Sequence, residues 1–120
     1  MAAEYARRLG RFCDFSMQEV RSEAALEKHD RAYKIVLDPA GRHLTSQELA
    51  AVVDRAENTA VRELLFLVGG ADGLSEGARR QADLLLALSR LTLPHELARV
   101  LLAEQIYRAF TILRRHPYPR

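Results

Sequence analysis

The sequence is poor in cysteine and has no long apolar run, and each absence excludes a class of protein. The chain has 120 residues and a single cysteine, Cys13, so it can form neither an intrachain disulfide nor a cysteine-rich zinc site. Its apolar stretches fall short of the ~18 residues of a membrane helix. The basic, amphipathic N-terminus lacks the apolar core of a signal peptide. We therefore expect a cytoplasmic protein with one domain over residues 1–120.

Several enzyme motifs are also absent. The stretch GGADG at residues 69–73 has neither the G-x-G-x-x-G spacing of a dinucleotide site nor the Gly-Lys-Ser/Thr ending of a phosphate-binding loop. The stretch HELAR begins at His95, but Arg99 stands where a zinc protease needs its second histidine. A Gly-x-Ser-x-Gly nucleophile elbow is missing as well. No metal site is expected, and GGADG by itself is compatible with an ordinary turn.

The charged residues give a weak indication of a partner. The formal net charge is only +2, although sixteen of the eighteen basic residues are arginine. Arginine suits bidentate contacts with phosphate. A codon bias toward arginine explains the same composition equally well, so the bias alone does not identify a nucleic acid as the partner.

Apolar runs alternate with helical patterns along the chain. The expected strands are 15–20, 32–38, 63–68 and 84–89. The expected helices are 2–12, a short connector within 22–31, 45–58, 75–83 and 96–115. A capping box at Thr45 and Glu48 begins the third helix, and Pro39 to Gly41 is expected to end the second strand in a turn. This alternation favours an α/β fold with a mostly parallel sheet.

In such a sheet, ligands bind outside the carboxyl ends of the strands. The predicted ends are Leu37 to Pro39, Val68 to Gly70 and Ser89 to Pro94. Glycine and proline at these ends allow the backbone to approach a ligand closely. The pattern therefore predicts a pocket at this edge of the sheet.

The last helix has more apolar surface than one contact requires. Glu104 and Arg108 are spaced for an ion pair along its polar stripe, while apolar residues cover much of the remaining circumference. A helix lying on its own sheet needs an apolar sector of only about 100°. The excess indicates a second buried contact, which is either a homodimer interface or a second neighbour within the monomer.

Three stretches together resemble a known family. FLVGGADGLS, LSRLTLPHELARVLLAEQIYRAF and the terminal HPY, in this order and spacing, are similar to the RlmH family, the ribosomal RNA large-subunit methyltransferases H of the SPOUT superfamily. The resemblance implies a SPOUT α/β knot, in which a mostly parallel sheet carries a C-terminal trefoil knot. It also implies S-adenosylmethionine as the methyl donor and a homodimer as the working unit. The implied substrate is a pseudouridine of large-subunit (23S) ribosomal RNA, methylated at N3 within the ribosome, with neither a metal nor a membrane involved.

The resemblance also implies which residues form the site. The positions matching cofactor contacts are Leu37, Gly70, Ser89, Arg90, Leu91, Thr92, Leu93 and Pro94. The positions matching substrate-side and catalytic roles are His95, His116, Tyr118 and Arg120. Which of these residues accepts the N3 proton stays open, and an ion pair of Glu104 with Arg108 is as consistent with a structural role as with a catalytic one.

The chain departs from the family in two places. Family members usually begin with an apolar strand that is missing before the first helix here, and Pro119 stands where the family usually has a histidine. These departures favour an alternative in which a catalytically impaired SPOUT-fold protein only binds RNA or the ribosome. A weaker alternative is a small nucleotide-binding α/β domain without an RNA role.

Overall fold

Helices and strands alternate along most of the chain. The structure, a computed structural model, describes residues 2–18, 22–69, 74–89 and 93–115. Within these ranges the helices are α1 (Ala2–Leu9), α2 (Ala25–Lys28), α3 (Ser46–Glu57), α4 (Glu76–Gln81) and α5 (His95–Leu113). The strands are β1 (Tyr33–His43), β2 (Leu64–Leu67) and β3 (Leu84–Ala87). None of the described helices is both long enough and apolar enough to cross a bilayer.

The three strands form a parallel sheet in the order β2-β1-β3. Tyr33 of β1 pairs with Leu64 of β2, and Ile35 of β1 pairs with Leu84 of β3. The predicted parallel α/β architecture is confirmed. Because the strands run in the same direction, their carboxyl ends meet at one edge of the sheet.

Helices cover both faces of the central strand. Ile35 and Val36 are fully buried and belong to two different core clusters, because successive side chains of a strand point to opposite faces. The cluster around Ile35 takes its other members from α1, α3, α5 and β3, and the cluster around Val36 takes its members from α2, β2 and α4. The larger cluster holds α5 against the sheet.

Side chains cap α3 and α4 as the sequence predicts. Glu48 N–H donates to the Thr45 hydroxyl at 3.1 Å, and Thr45 N–H donates to the Glu48 carboxylate at 2.8 Å. The capping box is therefore confirmed. At α4, the Ser75 hydroxyl accepts from Ala78 N–H at 3.1 Å, which satisfies one free donor at that helix start.

β1 does not end where the sequence predicts. The expected turn at Pro39 to Gly41 is wrong, because the strand continues to His43. Leu37 and Arg42 both pair with Leu86 of β3, so residues 38–41 form a bulge between two paired stretches. Bulges of this kind are common beside functional sites.

The strand expected at residues 15–20 is also wrong over its described part. Residues 14–18 have no regular secondary structure, and Val20 lies outside the described residues. The alternation of Phe15 and Met17 is too short and irregular to specify a paired strand. These residues instead line a groove beside β2.

Candidate functional site

Apolar side chains near the three strand ends that the sequence predicts lie on the same side of the sheet. Leu37 in β1, Val68 after β2 and Leu88 after β3 are partly buried and all pack against the larger core cluster. Leu37 pairs with Leu86, two residues before Leu88. These three residues therefore share one face of the sheet near the β1 bulge, and the cofactor site expected there stays a prediction.

The predicted cofactor residues are only partly described. Ser89 and Leu93 are partly buried, and Pro94 is exposed as the N-cap of α5. Gly70 lies outside the described residues, as do Arg90, Leu91 and Thr92. Leu37, Ser89, Leu93 and Pro94 therefore flank the candidate site at strand ends and at the start of α5.

A second concavity runs along β2. This groove has a volume of about 820 Å³ and is lined by residues 13–18, by β2 and by the N-terminal half of α5. At one end it reaches Val68 and Gly69 beside His95, Glu96 and Arg99. It therefore meets the strand-end site at β2 but follows the outer edge of the sheet.

His95 is the first residue of α5 and points into a polar environment. Its side chain is about half exposed, and Nε2 lies 3.2 Å from a carboxylate oxygen of Glu96. Glu96 also contacts Arg99, whose Nη1 lies 3.4 Å from Oε1, and Arg99 Nη2 lies 3.3 Å from the Met17 sulfur. His95 thus has access to solvent and a carboxylate neighbour.

The sequence pattern alone assigned no site role to Glu96 or Arg99, the two residues near His95. Arg99 was noted only as the residue that stands where a zinc protease has its second histidine. The HELAR spacing could have indicated their contact, because Glu96 and Arg99 are three residues apart on one helix. Among the described residues, no three histidine, cysteine or acidic side chains are grouped to hold a metal ion.

The ion pair expected along α5 is confirmed. Arg108 Nη2 lies 2.9 Å from Glu104 Oε2, and the Glu104 side chain is only 15% exposed. Removing one partner would leave a largely buried charge with less compensation. This position is compatible with a structural role for the pair.

Comparison with known proteins identifies the family. The sequence model of a family described as "Predicted SPOUT methyltransferase" matches residues 1–119. The chain belongs to the SPOUT methyltransferase family.

Relatives of this SPOUT methyltransferase carry one name. A protein of Solibacter usitatus is 48% identical over 122 residues, which cover 100% of this chain and 87% of the relative. A protein of Geobacter sulfurreducens is 45% identical over 130 residues, covering 96% of this chain and 85% of the relative. A protein of Thermus thermophilus is 48% identical over 118 residues, covering 98% of this chain and 84% of the relative. Each is named ribosomal RNA large subunit methyltransferase H, so the resemblance inferred from the three motifs is confirmed.

Cys13 of this SPOUT methyltransferase is a poor nucleophile. Its side chain lines the groove and is partly buried. Burial raises the pKa of the thiol, and the nearby Glu57 carboxylate raises it further. Only the thiolate reacts readily, so Cys13 is suited to packing rather than to covalent chemistry.

The C-terminal residues predicted to act on the substrate lie outside the described part of the SPOUT methyltransferase. These are His116, Tyr118 and Arg120. The described chain ends at Arg115, shortly after Arg114 forms an ion pair with Glu57 at 2.6 Å. That pair fixes the end of α5 against α3.

Proposed function

We propose that this protein transfers a methyl group from S-adenosylmethionine to N3 of a pseudouridine in large-subunit ribosomal RNA. The observation that carries the proposal is the match to the SPOUT methyltransferase family over residues 1–119. Relatives that cover nearly all of the chain are named for the large ribosomal RNA. We further propose that residues 1–120 form one methyltransferase domain that acts in the cytoplasm.

The strand-end site fits the chemistry of the cofactor. Adenine is neutral and needs apolar walls together with backbone donors and acceptors. Leu37, Val68 and Leu88 can supply such walls, and the segments at Gly70 and Ser89 to Pro94 can supply backbone groups. When bound, S-adenosylmethionine supplies an electrophilic methyl group. The protein's part is to hold the acceptor nitrogen in line with it and to exclude competing geometries.

The N3 proton must leave during the reaction, and several residues could accept or stabilise it. His95 is exposed at the start of α5 beside Glu96, and histidine can exchange a proton near neutral pH. His116, Tyr118 and Arg120 are proposed on the substrate side from the family resemblance alone. We do not assign one of the four as the base.

A homodimer is proposed as the working unit. Part of the apolar surface of α5 is already covered within the chain, because Tyr107 contacts the rings of Tyr5 and Phe12 at centroid distances of 6.1 and 5.9 Å. Leu97 and Ile112, both on α5, are the large apolar side chains that stay exposed in the described part of the protein. Their exposure supports a contact between α5 and a second copy of the chain. Sedimentation velocity of the purified chain measures whether this dimer forms.

The C-terminal trefoil knot is also proposed for this fold, and so is the loss from this chain of an N-terminal strand that family members usually have. Support for this loss comes from β2, whose outer edge has no partner among the described residues. The Solibacter relative is matched over only 87% of its length although this chain is matched over 100%. The relative therefore contains residues without a counterpart in this chain.

The deciding experiment measures cofactor binding and methyl transfer separately. Purified protein is titrated with S-adenosylmethionine by calorimetry, and then incubated with labelled cofactor and ribosomes that lack the modification. We expect binding and incorporation of label at one pseudouridine, with already modified ribosomes as the control. Binding without transfer would favour the catalytically impaired alternative, for which Pro119 and the bare edge of β2 are the specific observations. Absence of cofactor binding would reject the proposed methyl transfer.

A further inference from the structure

Asp38 is a buried carboxylate in the bulge of β1. Its side chain is 7% exposed, and both of its oxygens are engaged. Oδ1 accepts the Ala40 N–H at 2.9 Å, and Oδ2 lies 2.7 Å from Arg79 Nε in an ion pair. Arg79 therefore compensates a charge that would otherwise be buried without a cation.

This contact joins two segments that are distant in sequence. Asp38 directly follows Leu37 within β1, and Arg79 belongs to α4. Among the described residues, Asp38 and Arg79 form the one ion pair between α4 and the sheet. α4 has only six residues and a single buried one, Ala78, so packing alone holds it weakly.

The N-terminal end of α4 is held by a separate contact. Ser75 N–H donates to Glu23 at 2.8 Å, and the Ser75 hydroxyl also bonds this carboxylate. In the sequence, the Gly70 to Gly73 segment directly precedes this end of the helix. Arg79 thus joins the bulge after Leu37, a proposed cofactor position, to the helix that Ser75 caps.

We propose that Arg79 is a positioning residue for the methyl-donor site. Through Asp38 it holds the bulge and the backbone at Leu37, and it holds α4, which follows the Gly70 to Gly73 segment in the sequence. It does not itself touch the cofactor. The inference rests on the proposed function, because it takes S-adenosylmethionine as the ligand of these segments.

Arg80 supplies a matched control on the same helix. It has the same charge, its side chain is 80% exposed, and it lies 3.9 Å from Glu76. Arg79→Gln and Arg80→Gln therefore remove the same charge from adjacent positions. Only the first substitution leaves Asp38 without its cation.

The test compares wild type, Arg79→Gln, Arg79→Lys and Arg80→Gln in the full chain. We expect Arg79→Gln to raise both the dissociation constant and the KM for S-adenosylmethionine about tenfold, the size of effect expected when one contact to a charged group is lost. The lost contact is the one between Arg79 and Asp38. At saturating cofactor, kcat should change less than about twofold, because the loss is in binding rather than in the chemical step. Arg79→Lys should restore part of the affinity, and Arg80→Gln should behave like wild type.

A second measurement separates this inference from the proposed function. Hydrogen exchange of the Ala40 amide, which donates to Asp38, should be faster in Arg79→Gln than in Arg80→Gln at unchanged protection of Ile35. If wild type binds the cofactor and both glutamine variants bind it equally, the positioning role is wrong. Equal Ala40 exchange in the two variants would overturn it whether or not the cofactor binds. Failure of wild type to bind S-adenosylmethionine would instead reject the proposed function.

Discussion

At the scale of single residues, Gly41 is the position where the bulge tolerates no side chain. A Cβ atom placed there would lie 2.7 Å from the carbonyl carbon and oxygen of Leu85 and 2.8 Å from the nitrogen of Leu86. All three are backbone atoms of β3, so a flexible side chain cannot move away to make room. The close approach of the bulge to β3 therefore depends on glycine.

Gly41→Ala is expected to lower the free energy of unfolding by about 1–3 kcal/mol, the usual cost of overpacking. Urea denaturation followed by circular dichroism measures this loss. Gly77→Ala is the control, because the nearest atom to its Cβ is the Ser75 hydroxyl at an ordinary 3.6 Å. Within α4 this alanine should stabilise the chain by about 0.5–1 kcal/mol. Wild-type stability in Gly41→Ala would show that β1 and β3 are not so closely apposed.

At the scale of elements, features fixed by residues close together in the sequence were predicted better than features fixed by residues far apart. The capping box was predictable because Thr45 and Glu48 are three residues apart and satisfy each other. The bulge of β1 was not, because its backbone is fixed by pairing with Leu86 and by the contact between Asp38 and Arg79. Proline and glycine at residues 39–41 are typical of both a turn and a bulge, and only distant partners distinguish the two.

The same contrast applies to the candidate site. The apolar runs predicted the three strands, and Leu37, Val68 and Leu88 lie on one face of their sheet, but the end of β1 was predicted too early. The contact of Arg99 with Met17 was not predictable, because 82 residues separate them and Met17 belongs to an irregular segment. The roles of His116 and Tyr118 rest on resemblance alone.

The ends of α3 and α5 are joined by an ion pair with a predictable pH dependence. Two nitrogens of Arg114 contact the two oxygens of Glu57 at 3.0 and 2.6 Å. The hydrogen bonds from Arg114 lower the pKa of Glu57 below its ordinary value of 4.5. Because the folded-state pKa is lowered, the stabilising contribution is complete above pH 4.5 and is lost as the pH falls through the lowered value.

Glu57→Gln should therefore reduce the free energy of unfolding at neutral pH by at most about 1 kcal/mol, since the pair is partly exposed. The difference from wild type should disappear in acid, which urea denaturation over a pH series measures. Glu57 is the partner to replace, because Arg114 also lies 5.4 Å from the centre of the Phe110 ring. Glu27→Gln, at an exposed position of α2, is the control. A difference that persists unchanged in acid would contradict an ionic origin.

At the scale of the whole molecule, the edge strand β2 has the sequence pattern of an interior strand. The run LLFLV at residues 64–68 is apolar at successive positions, which is typical of a strand covered on both faces and flanked by neighbours. In the described part of the chain β2 is an edge strand. Its residues Leu64 to Phe66 are only partly buried, and the groove of about 820 Å³ follows its outer side. An apolar edge with unpaired backbone groups is a template for another strand.

Backbone geometry identifies the groups that this edge exposes. Tyr33 N–H donates to the Glu63 carbonyl at 2.9 Å, and Tyr33 pairs with Leu64. In a parallel ladder this register directs the N–H groups of Leu65 and Leu67 toward β1 and those of Leu64 and Phe66 toward the groove. The two sets differ only in the side of the strand that they face, so each is the control for the other.

Amide hydrogen exchange followed by NMR should separate the two sets. In the purified chain, Leu64 and Phe66 should exchange much faster than Leu65 and Leu67, because their amides have no partner strand to open. A strand docked in the groove would slow Leu64 and Phe66 and leave the other two unchanged. If all four amides of the purified chain are equally protected from exchange, the outer edge of β2 is already paired. The strand that this chain is proposed to lack would then have no place at this edge of the sheet.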